Sequence, residues 1–297
     1  MHAIPKKWLI FIKNFRFPQI VYHSGLLFVG SGLAVTYAHP SWQPSWLMLV
    51  PFTLTWLAVT TAWLASVVVN DINDQTIDRI THPDRPLPSQ FFSVSEYQNI
   101  GWLLFFASLI LAALAHPNVA LLIFMYQVIA YLYSAKPIRL KRFTYVSTFV
   151  SALASLMVVL SGYVLFSDNH ALQHFPIGIG ILLIIGYTFS LPIKDFKDIP
   201  GDRADHVHTV PVVFGEAWGK ALVGSGFFIS YLLSVAILNE FQLFWWAIIC
   251  GSLSFFLIQK MNSHLEGGWI HYRNAFWWLL TIVTIYFAVI ICLTVLP

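Results

Sequence analysis

Two stretches of this sequence gather carboxylates at regular spacing. Asp71, Asp74 and Asp78 are followed by Arg79, and 124 residues further on Asp195, Asp198 and Asp202 are followed by Arg203. Both stretches read D-x-x-D-x-x-x-D-R, and six of the nine aspartates lie in them, so the acid is concentrated while the rest of the chain is mostly apolar. Carboxylates packed this densely repel one another unless cations sit between them. Magnesium suits them, because it takes oxygen ligands, keeps several waters and is commonly held by one or two carboxylates together with substrate phosphates. Two triplets facing each other across a gap would each hold one metal, with a diphosphate between them. The competing reading is that acids at a membrane border merely solvate helix ends; the identical repeat, each copy with its own arginine, favours a reaction centre.

On an α-helix, positions 0, 3 and 7 fall within about 60° of one another, so each triplet is expected to point into one cavity. Asn70 adds an amide oxygen on the same side, since Asn70, Asp74 and Asp78 are spaced by four. The expected metal ligands are therefore Asn70, Asp71, Asp74, Asp78, Asp195, Asp198 and Asp202, with Asp74, Asp78, Asp198 and Asp202 carrying the chemistry. Pro200 and Gly201 interrupt the second copy. Proline inside a helix removes a hydrogen bond and bends the chain, so this cluster is expected at a distorted helix end, with backbone carbonyls as extra ligands.

The elements that position these residues must be membrane helices. Of the 297 residues, 58% are hydrophobic and 10% charged, and mean hydropathy is +0.72; a soluble domain carries roughly 25% charged residues. Apolar runs able to cross about 30 Å of hydrocarbon fall near 17–38, 46–69, 97–116, 118–135, 144–166, 175–193, 219–238, 241–259 and 274–296. The least distinct breaks are at His116-Pro117 and Asn239-Glu240. With nine spans, all sixteen Lys and Arg residues fall on one face or at its border, and the opposite loops (39–45, 167–174, 239–240) hold none. The positive-inside rule then places the N-terminus and both acidic clusters in the cytoplasm, in the inner or plasma membrane if the source is bacterial or archaeal. Trp42, Trp46, Trp245, Trp246, Trp277 and Trp278 suit interfacial belts. The basic residues before the first span precede no small-residue cleavage site, so the segment reads as the first membrane helix rather than a removed signal. Cys250 and Cys292 lie in apolar runs and read as inert core thiols. The net charge of +3 follows from this topology and implies no nucleic-acid partner.

The clusters follow spans 2 and 6, which are four apart and run in the same direction. Asp78-Arg79 leads to Pro88 as Asp202-Arg203 leads to Pro211. This predicts an all-α membrane bundle of about nine helices, built by parallel duplication of a four-helix unit plus a ninth helix, and acting as a single domain over residues 1–297.

Lys136-Pro-Ile-Arg139-Leu-Lys141-Arg142 follows Tyr131 and Tyr133 at the end of span 4. It supplies partners for diphosphate oxygens, or else sets topology beside anionic lipid. Arg16, in Phe-Arg-Phe-Pro, either snorkels to the interface or reaches a phosphate; Arg203 is placed with this basic set. Asp84-Arg85-Pro86 orders the loop after the first motif, as a lid. His82, His206 and His208 flank the clusters, but imidazole prefers softer metals than magnesium. His264, Glu266 and His271 suggest no chemistry. P-loop, dinucleotide fingerprint and nucleophile-elbow patterns are absent from the sequence.

These residues resemble the UbiA superfamily of intramembrane prenyltransferases. The family's N-x-x-x-D-x-x-x-D motif stands as Asn70-Asp-Ile-Asn-Asp74-Gln-Thr-Ile-Asp78, and its D-x-x-x-D motif as Asp198-Ile-Pro-Gly-Asp202, with Asp195 preceding it. The tyrosine–lysine segment stands as Tyr131-Leu-Tyr-Ser-Ala-Lys136, and Thr209-Val-Pro-Val-Val-Phe-Gly215 looks like the stretch after the second motif. The resemblance covers nearly the whole chain. It implies that Mg2+ on the two clusters binds an isoprenyl diphosphate, that ionisation gives an allylic cation, and that a hydrophobic or aromatic acceptor is alkylated within the bilayer. Its short segments look more like branches acting on homogentisate, chlorophyllide or archaeal glycerol lipids than the heme-farnesylating branch. A terpene cyclase on the same scaffold and a cation transporter are the alternatives; transporters usually set their acids near the bilayer midplane.

Overall fold

The computed structural model describes residues 6–38, 45–262 and 271–294. Among these the regular structure is helical, with one isolated bridge pair, Asn262 and His271. The helices are α1 (Lys6–Lys13), α2 (Phe17–Tyr37), α3 (Leu49–Asn73), α4 (Gln75–Thr81), α5 (Val94–Ala115), α6 (Pro117–Ser134), α7 (Val146–Phe166), α8 (Ile177–Ser190), α9 (Ile199–Ala204), α10 (Val210–Leu238), α11 (Leu243–Lys260) and α12 (Tyr272–Thr294). Eight helical stretches are long and apolar enough to cross a membrane, and α12 carries a shorter apolar run, Asn274–Ile290. All nine expected spans thus correspond to helices, and the protein is an integral membrane protein. Trp42, His264, Glu266 and the end of the ninth expected span lie outside the described residues.

The helix ends follow from local chemistry. Ser93 and Glu96 form a capping box at the start of α5, satisfying donors that the first turn leaves open. The break between α5 and α6 falls at His116, whose side chain accepts from the Asn118 N–H, and Pro117 opens α6, where its missing N–H does no harm. Asn239, in the left-handed region, closes α10. Phe28, Leu103, Trp218, Ile229 and Trp245 are exposed; in lipid such a surface needs no polar cover.

The chain packs as two compact units, one of residues 1–140 and 153–176, the other of residues 141–152 and 177–297. In the first, α3 packs against α5 and α6, and α2 meets α7 closely enough that a Cβ on Gly30 would lie 1.9 Å from the Val159 carbonyl oxygen and one on Gly162 2.2 Å from that of Leu27. Membrane helices use such small residues to bring backbones together. Trp56 donates to Ser24 (2.8 Å) and Gln127 to Ser108 (3.1 Å), tying helices across an apolar interior. In the second unit α10 packs against α8 and α11, and α11 against α12, around a core that includes Phe196, Val223, Tyr231, Ala247 and Tyr286.

Candidate active site

The first acidic motif does not lie on one unbroken helix, as the spacing predicts. Helix α3 stops at Asn73, Asp74 takes φ −105°, ψ 15°, and α4 resumes at Gln75. The Asp74 N–H still bonds to the Asn70 carbonyl at 2.9 Å, and the Asp78 N–H to the Asp74 carbonyl at 2.8 Å. The chain therefore turns at a joint without losing its ladder. The joint sends the three carboxylates to three different cations. Asp71, with no exposed surface, accepts from Arg16 Nη2 (2.7 Å), Asn14 Nδ2 (2.6 Å) and Tyr97 Oη (2.9 Å). Asp74 accepts from Arg139 Nη2 at 3.0 Å, both side chains being buried. Asp78 Oδ1 accepts a short bond from Arg85 Nη1, which also lies 3.8 Å from Asp71. Ser134 donates to Asn70 Oδ1 at 3.2 Å.

A buried charge is tolerated when it is paired and hydrogen-bonded, and this motif meets that condition with guanidinium groups. Burial pushes the Asp78 carboxyl up and Arg85 opposes the shift. Asp78 Oδ2 is buried and has no hydrogen-bond partner. A carboxylate oxygen that no protein donor satisfies suits a hard cation.

The second motif follows the expected distortion. A 3-10 segment, Leu191–Lys197, carries Pro192 and Asp195; Asp198 is the joint, at φ −106°, ψ 7°; and α9 carries Asp202. Asp202 is buried, accepts from Thr209 Oγ1 at 3.2 Å, and its carbonyl accepts from Val207 N–H at 2.8 Å. Burial pushes its carboxyl up to about 7, helped by the negative charges of Asp195 and Asp198 and opposed by Thr209 and Lys141. Lys197 Nζ stands 3.8 Å from Asp198 Oδ2.

The basic segment is divided between these two settings. Arg139 is buried against Asp74, whereas Lys141 is buried in the second unit, where its charge acts on Asp202. Arg142 is exposed over the Phe143 ring, 4.8 Å from its centroid, and its carbonyl accepts from His208 N–H at 3.0 Å. Lys136, Arg79 and Arg203 are exposed. His206 and His208 are exposed. Among the described residues no three His, Cys, Asp or Glu side chains converge into a metal-binding group by themselves.

The sequence matches the UbiA prenyltransferase family over residues 26–279. The chain belongs to that family. Among its relatives are the digeranylgeranylglyceryl phosphate synthase of Methanobrevibacter smithii, 29% identical over 56% of this chain and 59% of that protein, and the chloroplastic chlorophyll synthase of Arabidopsis thaliana, 31% identical over 51% of this chain and 41% of that one. The chain spans about half the length of the curated relatives it matches. The fold of a UbiA homolog from Archaeoglobus fulgidus, solved bound to GPP and Mg2+, superposes with a TM-score of 0.69 at 18% identity, covering 95% of this chain and 99% of that chain. This UbiA member thus has the family's helical fold as well as its motifs. Asn14, Arg85 and Tyr97 reach the acids without belonging to either motif. Arg85 is visible in the sequence only as a loop residue, and Asn14 and Tyr97 carry no sequence signal.

Proposed function

We propose that the protein is a magnesium-dependent prenyltransferase. It moves an isoprenyl group from an isoprenyl diphosphate to a membrane-associated acceptor, an aromatic or quinone precursor or a lipid, through an allylic cation. The observation that carries this reading is the pair of acidic joints at Asp74 and Asp198 with cations set against their acids, Arg139 on the first and Lys197 on the second, in a chain of this family. A diphosphate gains charge-assisted hydrogen bonds from such cations, whereas a permeating cation is repelled by them.

Asp74, Asp78, Asp198 and Asp202, with Asn70 and Asp195 beside them, would hold Mg2+. When bound, the metal supplies electrostatic stabilisation of the departing diphosphate. In the first unit Arg16, Arg85 and Arg139 are the cations available to diphosphate oxygens; in the second, Lys141 is the buried cation acting on Asp202. The apolar helices exclude water from the cation, and aromatic faces stabilise it. The whole chain serves as one prenyltransferase domain, with its N-terminus and both joints on the cytoplasmic side.

The test is transfer of labelled isoprenyl diphosphates of several lengths by the detergent-purified protein, with magnesium or with chelator, against a panel of aromatic and lipid acceptors. Acceptor-dependent product that disappears with chelator is expected. Product formed without any acceptor would instead make the protein a cyclase. Magnesium flux into liposomes without binding of a non-hydrolysable thio-diphosphate analogue would make it a transporter. A reporter in the 167–174 loop should read out on the non-cytoplasmic side; a cytoplasmic signal would invert the orientation.

A further inference from the structure

We propose that Asp71 is not a metal ligand but the residue that positions Arg16 and Arg85 for the diphosphate, an inference that rests on the prenyl-transfer reading. Although Asp71 belongs to the acidic motif, its carboxylate is already shared among protein donors. Oδ1 takes Arg16 Nη2 at 2.7 Å, and Oδ2 takes both Asn14 Nδ2 at 2.6 Å and Tyr97 Oη at 2.9 Å. Arg85 Nη1 stands 3.8 Å from Oδ1. An ionised carboxylate offers about four acceptor positions; three are filled by these hydrogen bonds and Arg85 stands beside Oδ1, so a metal would have to compete with donors and cations already in place.

The donors come from different elements. Asn14 and Arg16 lie in the turn between α1 and α2, Tyr97 in the first turn of α5, and Arg85 in the loop after α4. The surroundings are apolar: Val68, Leu87, Phe92 and Tyr97 form a buried cluster with Phe11 against it. The Phe11 and Phe92 rings lie 6.1 Å and 5.6 Å from that of Tyr97. At low dielectric the attraction between Asp71 and its cations is strong, and the same environment penalises removing one partner. Lys7 Nζ, 2.8 Å from Glu96, fastens α1 to α5 from the outside.

Arg16 is where the anchor meets the chemistry. Its backbone is left-handed, φ 52° and ψ 57°, a conformation a non-glycine residue keeps only when its surroundings hold it. Asp71 engages a single nitrogen of the guanidinium, and Nε is buried with no hydrogen-bond partner. A guanidinium carries five N–H donors in a fixed fork, so donors remain for an anionic oxygen. Arg85 is set in the same way, between Asp71 and the Oδ1 of Asp78. One buried acid therefore aims two cations, and Asp78 Oδ2 stays open for the metal.

The experiment compares Asp71→Asn with Asp78→Asn in the detergent-purified full chain. Direct binding of Mn2+, as a spectroscopic stand-in for magnesium, is measured without diphosphate; binding of the thio-diphosphate analogue is measured with magnesium present. Asp71→Asn should keep Mn2+ affinity within about twofold and weaken the analogue about tenfold, the scale of one hydrogen bond to a charged group. Asp78→Asn should lose the Mn2+ bound at the first motif, leaving that at the second. In Asp71→Asn/Arg16→Ala the loss should be smaller than the sum of the two single-variant losses, because the acid acts in part through Arg16. Loss of Mn2+ binding in Asp71→Asn, or additive losses in the double variant, would overturn the assignment. If Asp71→Asn does not fold, Tyr97→Phe and Asn14→Ala remove single donors and carry the same two readouts, with the same outcomes deciding. Failure of the unmodified protein to bind the analogue would instead sink the prenyl-transfer reading itself.

Discussion

At Asp74 and at Asp198 the chain leaves one helix and enters a shorter one through nearly the same backbone, φ −105°, ψ 15° in the first and φ −106°, ψ 7° in the second. What meets the acids there is different. The first motif presents its three aspartates to Arg16, Arg139 and Arg85, drawn from separate segments. The second faces Lys197, Lys141 and Thr209, and Asp202 is pushed up to about 7. A guanidinium stays charged at any physiological pH, so the first motif has a fixed counter-charge. The charge of the second depends on protons and on metal. The two motifs share the backbone joint and differ in what neutralises their acids.

The comparison breaks most decisively if only one joint matters. Asp74→Asn and Asp198→Asn should each lower prenyl transfer by about 10²-fold or more, since leaving-group stabilisation is the largest lever available, with the helical circular dichroism unchanged. Near-normal turnover in either purified variant would restrict the metal chemistry to the other motif.

A second effect separates the motifs by pH. Asp202 is protonated below about 7, and a metal needs the ionised form. Mn2+ or Mg2+ binding to the second motif should therefore weaken as pH falls through 7, by about tenfold per unit for one competing proton. The stability of chelator-treated protein should move the other way. Because the folded carboxyl holds its proton more tightly than a free aspartate, which titrates near 3.8, the folded state binds more protons between about 4 and 7, so its stability rises as pH falls across that window. Asp202→Asn should flatten both trends. Metal affinity that stays level from pH 8 to pH 5.5 would mean that burial does not control this acid.

How much of this could be read in advance depended on how local each cause is. The spans were legible because apolar length is a property of a short window, and the α5–α6 break because a proline cannot continue the helix before it. The bend in the second motif was announced by Pro200 and Gly201. The matching break at Asp74 was not, since nothing between Asn70 and Asp78 is a proline or a glycine; the side chains around it pair with residues distant in sequence. For the same reason Asn14 and Tyr97, 57 and 26 residues from Asp71, left no trace in the motif. Arg16 is legible in the sequence as a phosphate candidate, but its pairing with Asp71, 55 residues away, is not.

Smaller effects grade the basic residues that sequence alone treats as equals. Lys141 is buried and acts on Asp202, so Lys141→Ala should weaken the thio-diphosphate analogue about tenfold, as for a charged hydrogen bond, and raise the Asp202 carboxyl further, shifting the pH dependence of metal binding to higher pH. Arg142→Ala removes an exposed guanidinium lying on the Phe143 ring, and an exposed cation–π contact contributes about 0.5–1 kcal/mol, so the analogue should weaken by no more than about fivefold.

The smallest change is expected at the arginine that closes each motif. Arg79 and Arg203 are exposed, and among the described residues neither is paired with an aspartate. Exposed charges are screened and contribute little to any one contact. Arg79→Ala and Arg203→Ala should leave analogue affinity within about twofold, and a screened charge of this kind should show its remaining effect only at low salt. A tenfold loss in Arg203→Ala that persists at high salt would put this arginine on the diphosphate. The second motif would then have a guanidinium of its own, and the contrast between the two joints would disappear.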